Sequence, residues 1–295
     1  MNPRLNDARQ SGTDALVTPD WLEERLETVV ADSPKLRLVE VDLNTEFYEQ
    51  GHIPGAVCID WQRQLQHATR RDLPSTEAFA DLLGTHGITE DSTVVLYGDN
   101  SNWFAAHLYW ILTYYGHDDV SLLDGGREHW IESEQPTTTE VPSYTPRSYR
   151  PGGPFEGVRA YQHDVERALS KPTELVDVRL PGEYEGKLIT PPGMNESAQR
   201  GGHIPGAKNI VWSENLQSDG RFKSTEALAE LYRTRGIDRD SDVIVYCRIG
   251  ERSSLTWFVL SELLGHPSVR NYDGAWIEWG NLIRAPIVAG SEPYE

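Results

Sequence analysis

The chain contains itself twice, and this duplication limits the available folds more than any other feature. Gly51-His52-Ile53-Pro54-Gly55-Ala56 returns as Gly202-His203-Ile204-Pro205-Gly206-Ala207. Leu38-Val39-Glu40-Val41-Asp42 is answered by Leu175-Val176-Asp177-Val178-Arg179. Ser75 to Trp130 aligns with Ser224 to Trp279 without a gap, so that Asp124-Gly125 meets Asp273-Gly274. A period this long is a domain, not a solenoid unit, and 295 residues suit two domains of ordinary size. Within each copy, β-branched runs alternate with helical patterns. In the first, strands are predicted at Leu36–Val41, Val57–Asp60, Thr93–Tyr97 and Val120–Leu123. Helices are predicted after Thr18, from Ser75, over Trp103–Tyr115 and up to Ile131. Such alternation predicts an α/β fold in which each domain is a parallel sheet with helices on both faces. Functional loops then belong at the carboxyl ends of strands. The boundaries read as 1–140 and 158–295, joined by a linker over 141–157 that holds Pro142, Pro146, Pro151 and Pro154.

The copies diverge where chemistry is expected. In the second, Val243-Ile244-Val245-Tyr246 reads as a buried strand and Ser253 to Leu264 as a helix. Between them lies the tight loop Cys247-Arg248-Ile249-Gly250-Glu251-Arg252. A strand-loop-helix turn aims successive backbone N–H groups inward, and the helix N-terminus adds its positive end. A thiol there, flanked by Arg248 and Arg252, is expected to ionise readily and to act as a nucleophile. The backbone of Ile249, Gly250 and Glu251 would hold an anionic sulfur. The first copy has Gly98-Asp99-Asn100 at the same place, so it has no thiol and an adverse charge. Cys58, inside Ala56-Val57-Cys58-Ile59, reads as a core filler. The second copy also carries about fourteen extra residues around 188–200, a surface loop that either shapes the site's entrance or is inert.

The other polar residues invite two readings each. Arg252 is expected to neutralise a substrate anion, with pairing to a carboxylate as the alternative. Arg248 either contacts substrate or forms a solvated or interdomain ion pair. Arg179 reads as a structural partner of Asp177 or a further substrate contact. Glu251 reads as a solvated or helix N-terminal carboxylate. His52 and His203 recur in both halves, including the one without a thiol, so they read as turn and packing residues.

The formal net charge of −19 argues against nucleic acid or an anionic membrane as partner. Only five of the 27 basic residues are Lys, and this acidic, Lys-poor balance resembles proteins of salt-loving organisms. No apolar run reaches membrane-spanning length, and the first residues lack an apolar leader. Two cysteines cannot form a disulfide framework, and a working thiol suits a reducing cytoplasm. No metal-ligand spacing, Walker-type loop or dinucleotide turn is present, so no cofactor is expected.

The duplicated Gly-His-Ile-Pro-Gly-Ala, the Asp177-Val178-Arg179 strand end, the Tyr246-Cys247 loop and Asp273-Gly274-Ala275-Trp276 together resemble the rhodanese sulfurtransferases in their tandem form with a silent first domain. The resemblance runs from about residue 16 to 284. It implies that Cys247 takes a sulfane sulfur from a small donor as a persulfide and passes it to cyanide or a thiol acceptor. Thiosulfate-type members usually carry Cys-Arg-Lys-Gly in this loop, and 3-mercaptopyruvate-type members Cys-Gly-Ser-Gly. Arg248 therefore favours thiosulfate, while Ile249 stands where the thiosulfate-binding Lys would be. Glu183 stands where vertebrate enzymes carry a second Arg, which leaves Arg252 as the substitute cation. A Cys-x5-Arg phosphatase would need Arg at position 253, which is Ser. A persulfide carrier serving a partner protein would need the same Cys247.

Overall fold

Thr93-Val94-Val95-Leu96-Tyr97 is apolar on both faces, and such a run is stable only at the centre of a covered parallel sheet. In a computed structural model, which describes residues 15–191 and 197–294, it is that centre. The first residues, where no leader was expected, and the middle of the 188–200 loop lie outside the described residues.

Among the described residues, the first unit comprises 15–155 together with Ser218–Phe222. Its strands are β1 (Leu16–Val17), β2 (Leu36–Glu40), β3 (Ala56–Cys58), β4 (Thr93–Tyr97) and β5 (Val120–Leu123). They pair in parallel in the order β1-β5-β4-β2-β3. Its principal helices are α1 (Thr76–Thr85), α2 (Asp99–Tyr114) and α3 (Gly126–Glu132). Ser75 caps α1 by accepting the Ala78 N–H. The second unit holds Glu156–Gln217 and the chain from Lys223 onward. It repeats the sheet with β6 (Arg159–Ala160), β7 (Thr173–Asp177), β8 (Lys208–Asn209), β9 (Asp242–Tyr246) and β10 (Val269–Tyr272). The order is β6-β10-β9-β7-β8, again all parallel. Its helices include α4 (Pro181–Tyr184), α5 (Thr225–Thr234), α6 (Glu251–Phe258) and α7 (Ala275–Trp279).

The duplication extends to single hydrogen bonds. Tyr48 Oη donates to the Ala56 carbonyl and Tyr184 Oη to that of Ala207, each at 2.7 Å. His52 and His203 stack on these tyrosines at 3.8 and 3.6 Å between ring centroids. Their Nδ1 atoms lie 2.9 and 3.0 Å from the carbonyls of Tyr48 and Tyr184. Both histidines are therefore packing residues of the turn. Trp130 and Trp279 are buried, and each donates its indole N–H at 2.9 Å to a proline carbonyl, of Pro136 and Pro286.

Two helices differ from the sequence expectation. The helix after Thr18 is two short ones, Pro19–Glu23 and Leu26–Val30. The helix predicted over 253–264 begins at Glu251 and turns into a π-helix at Val259–Leu263. Residues 141–155 of the expected linker lie along the first unit. There Tyr144 Oη meets the carbonyls of Val29 and Gly55, and the Arg147 N–H donates to Gly84.

Candidate active site

The site is built at the carboxyl end of β9. Val243 to Tyr246 are fully buried, which fixes the strand's exit and places Cys247 at the first position beyond it. Cys247 is itself fully buried. Its carbonyl accepts from the Trp276 N–H and that of Arg248 from the Ile277 N–H, both at 3.1 Å, so α7 closes the loop from one side. The loop then folds back until the Gly250 N–H lies 3.1 Å from the Cys247 sulfur. Gly250 has φ of +109°, and a Cβ there would sit 3.1 Å from the Asp273 Cα. Only glycine suits this place. Asp273 is held in turn by Arg159, whose Nε and Nη2 both donate at 2.9 Å. The N-terminus of α6 begins directly after Gly250, so its positive end faces the loop.

The flanking charges are more tightly engaged than their spacing suggested. Arg252 is buried and donates through both terminal nitrogens to Glu183, at 2.8 and 2.9 Å. Glu183 also accepts from the Leu180 N–H. Burial alone would raise the Glu183 pKa, but Arg252 outweighs it and holds the carboxyl below its ordinary value. Burial likewise disfavours the Arg252 charge, and Glu183 together with the neighbouring Cys247 more than restores it. Arg252 thus has Cys247 as a neighbouring charge and is also paired with a carboxylate, the alternative reading of this residue. Arg179 binds Asp177 in a fork, its Nε 2.9 Å from Oδ1 and its Nη2 2.5 Å from Oδ2. It also donates to the Gly202 carbonyl at 2.7 Å and lies 4.3 Å from the Trp276 ring. These contacts are the ones expected of a structural partner of Asp177, with one further bond to the Gly-His turn. Arg248 and Ile249 are buried. Glu251 does stand at the helix N-terminus, but it is buried, so the solvated reading is corrected.

The first unit shows what this architecture becomes without the thiol. Gly98 takes the place of Cys247, and a Cβ on it would lie 2.0 Å from the Val41 carbonyl oxygen. There is no room even for the first carbon of a cysteine. Asn100, Ser101 and Asn102, at the start of α2, all have positive φ and form a non-helical kink there, so the chain follows another course. Charges are exchanged as well. Asp42 stands at the Arg179 position and Arg127 at the Trp276 position. Arg127 donates to Glu40 at 2.7 Å and to the Gly51 carbonyl at 2.5 Å, the bonds Arg179 makes in the second unit. The guanidinium beneath the Gly-His turn is kept, but it arrives from α3 rather than from the strand end. Aligning Asp42 with Arg179 and Arg127 with Trp276 contains this signal.

Asp42 is left buried beside Glu40 and Asp99. Burial and Glu40 push its pKa up to about 9, and burial lifts Asp99 to about 7. Cys58 is half-buried, and burial followed by the Asp42 and Glu40 charges pushes its thiol up to about 12. That fits a packing residue, not a nucleophile. Among the described residues no group of His, Cys, Asp or Glu could hold a metal, and no helix is long and apolar enough to cross a membrane. The 188–200 loop is tied down at its end. Arg200 donates to the carbonyls of Gly280, Ala285, Trp279 and Leu282, and its own carbonyl accepts from the Trp276 indole.

The rhodanese-like domain profile matches twice, over residues 18–133 and 161–282. A Haloferax volcanii protein provisionally named a thiosulfate sulfurtransferase is 55% identical over 278 residues, covering 94% of this chain and 97% of its own. The sulfur carrier protein TtuD of Thermus thermophilus is 51% identical over 284 residues, covering 95% and 98%. Among solved structures, a persulfide-bearing form of EanB with ergothioneine superposes with a TM-score of 0.80 at 25% identity, covering 94% of this chain and 70% of that one. YnjE matches with the same score and identity over 95% and 69%. The chain belongs to the rhodanese family of sulfurtransferases, with two rhodanese-like domains in tandem.

Proposed function

We propose that the protein is a thiosulfate sulfurtransferase working through a persulfide on Cys247. The observation that carries the reading is the Gly250 N–H aimed at the Cys247 sulfur at 3.1 Å, within a closed loop at a helix N-terminus. A thiolate there attacks the outer sulfur of thiosulfate. The new bond joins the two sulfurs, the S–S bond of the donor breaks, and sulfite leaves with its electron pair. The Cys247 persulfide then passes its terminal sulfur to cyanide or a thiol, and the thiolate returns. The kinetics are ping-pong. The loop N–H groups hold negative charge on whichever sulfur carries it, a kind of contact worth about 2.7–4 kcal/mol when one donor is removed. Arg252 supplies the positive field, with its charge shared by Glu183. No cofactor is needed for any step.

The thiosulfate assignment draws on Arg248 and on the provisional names of the relatives; 3-mercaptopyruvate is the alternative donor. Side-by-side turnover with the two donors tests it. A higher kcat/KM for thiosulfate is expected, and a clear preference for 3-mercaptopyruvate overturns it. A second reading, a persulfide carrier feeding a partner protein, is favoured by the 51% identity to TtuD, which is named a sulfur carrier. Robust turnover with small donor and acceptor alone supports the enzyme. Sulfur release only to a partner protein supports the carrier.

A further inference from the structure

We propose that Asn271 is a positioning residue for the sulfur-binding loop. It holds the Gly250 carbonyl away from the sulfur so that the N–H groups at the start of α6 face it. The proposal rests on Cys247 being the sulfur-carrying nucleophile. Asn271 is a fully buried polar residue on β10, the strand beside β9. Its Nδ2 donates to the Gly250 carbonyl at 3.1 Å and to Ser254 Oγ at 2.9 Å. Its Oδ1 accepts from Ser253 Oγ at 2.7 Å. Ser254 contributes its own hydroxyl and its N–H to the same carbonyl, at 2.9 and 3.1 Å. The amide can point only one way, because the reverse would set Oδ1 against the Gly250 oxygen.

The consequence follows from peptide geometry. In a planar trans peptide the C=O of Gly250 and the N–H of Glu251 point in opposite directions. Donors from Asn271 and Ser254 draw the carbonyl down into the domain, so the Glu251 N–H is turned out of the helix end toward the loop. The Gly250 N–H, on the preceding peptide, already reaches the sulfur. Gly250 is thus gripped at both ends in a backbone conformation that only glycine adopts readily.

The duplication supplies an independent observation. The gap-free alignment places Leu122 opposite Asn271, Phe104 opposite Ser253 and Ala105 opposite Ser254. All three are buried in the first unit. The unit without a thiol fills the same positions with apolar side chains. Burying a polar network costs free energy unless it is fully bonded, so a network kept only under the thiol loop points to a task there.

The test is a pH titration of the Cys247 thiolate by its ultraviolet absorbance, with Cys247→Ser protein as the reference. Asn271→Leu copies the first unit's residue and removes the Asn271 amide from the carbonyl while retaining bulk, leaving the Ser253 and Ser254 hydroxyls in place. Ser254→Ala removes one donor from the carbonyl and leaves Asn271 its own bond to that carbonyl, at the loss of its bond to Ser254 Oγ. Arg248, Glu251, Arg252, Glu183, the Asp177–Arg179 pair and the Asp273–Arg159 pair, the charged groups around the loop, remain in both variants. The thiolate midpoint is expected to rise by about one pH unit in Asn271→Leu and by less in Ser254→Ala. kcat should fall more than KM changes. A packing role alone would shift the melting temperature and leave the midpoint where it was, and that result overturns the proposal. If Asn271→Leu does not fold, the Ser254→Ala titration decides. Sulfur uptake by the unaltered protein is scored separately: its absence removes the nucleophile reading, whereas an unmoved midpoint removes Asn271 from the loop.

Discussion

Cys247 and Arg252 carry the residue-level argument, and they fail differently when changed. Cys247→Ser should abolish sulfur transfer and leave the fold intact, since the hydroxyl occupies the same buried place without the nucleophilicity. Far-ultraviolet circular dichroism and a transfer assay on one sample check both halves of that statement. Arg252→Ala should raise the thiosulfate KM and also destabilise the protein by about 3–5 kcal/mol, because Glu183 would be left buried without its partner. Glu183→Gln releases Arg252 from its carboxylate, so the KM should fall. Steady-state kinetics with chemical denaturation separates these outcomes. An unchanged KM in both variants would remove Arg252 from substrate binding. Of this arrangement the sequence displays Cys247, its flanking arginines and the Asp177–Arg179 pair, because those partners are near neighbours in the chain. The Arg252–Glu183 pair joins residues 69 positions apart. No local pattern displays that, and Glu183 reads merely as a missing arginine.

Strand ends of the two units carry opposite acid–base signatures. Glu183, at the head of α4 after β7, has a lowered pKa, so its contribution is present above the ordinary carboxyl value and lost as the pH falls through the folded one. Asp42 and Asp99, after β2 and β4, have raised pKa values of about 9 and about 7. Their contribution is fully present below 3.8, their ordinary value, and is lost as the pH rises through those folded values. Asp42→Asn keeps an oxygen for the Asp99 N–H, now accepted at 2.8 Å, and offers Glu40 an amide donor. Its melting temperature should exceed that of the unaltered protein at pH above neutral, with the gap closing in acid. A gap that is constant with pH would contradict the buried-charge account. The strands themselves were legible: Thr93–Tyr97 matches the expectation residue for residue, because a run buried on both faces has only one stable setting. The π-helical turn at Val259–Leu263 was not, since the apolar spacing of one widened turn barely differs from that of an α-helix.

For the molecule as a whole, the duplication made the two sheets and their order of elements readable, because the copies check one another. The course of residues 141–155 was less so. Proline content predicts extension but not which surface Tyr144 and Tyr149 will pack on. The net charge of −19 acts at this level too. Self-repulsion between exposed carboxylates is screened by salt, so the melting temperature should climb as sodium chloride is added at fixed pH. Full stability in dilute buffer would contradict that expectation.

The most direct test of the central claim is peptide-level mass spectrometry after incubation with thiosulfate and removal of excess donor. The account predicts one added sulfur atom on the peptide containing Cys247, lost again on exposure to cyanide, and none on Cys58. No added sulfur, or sulfur on Cys58 instead, would contradict it.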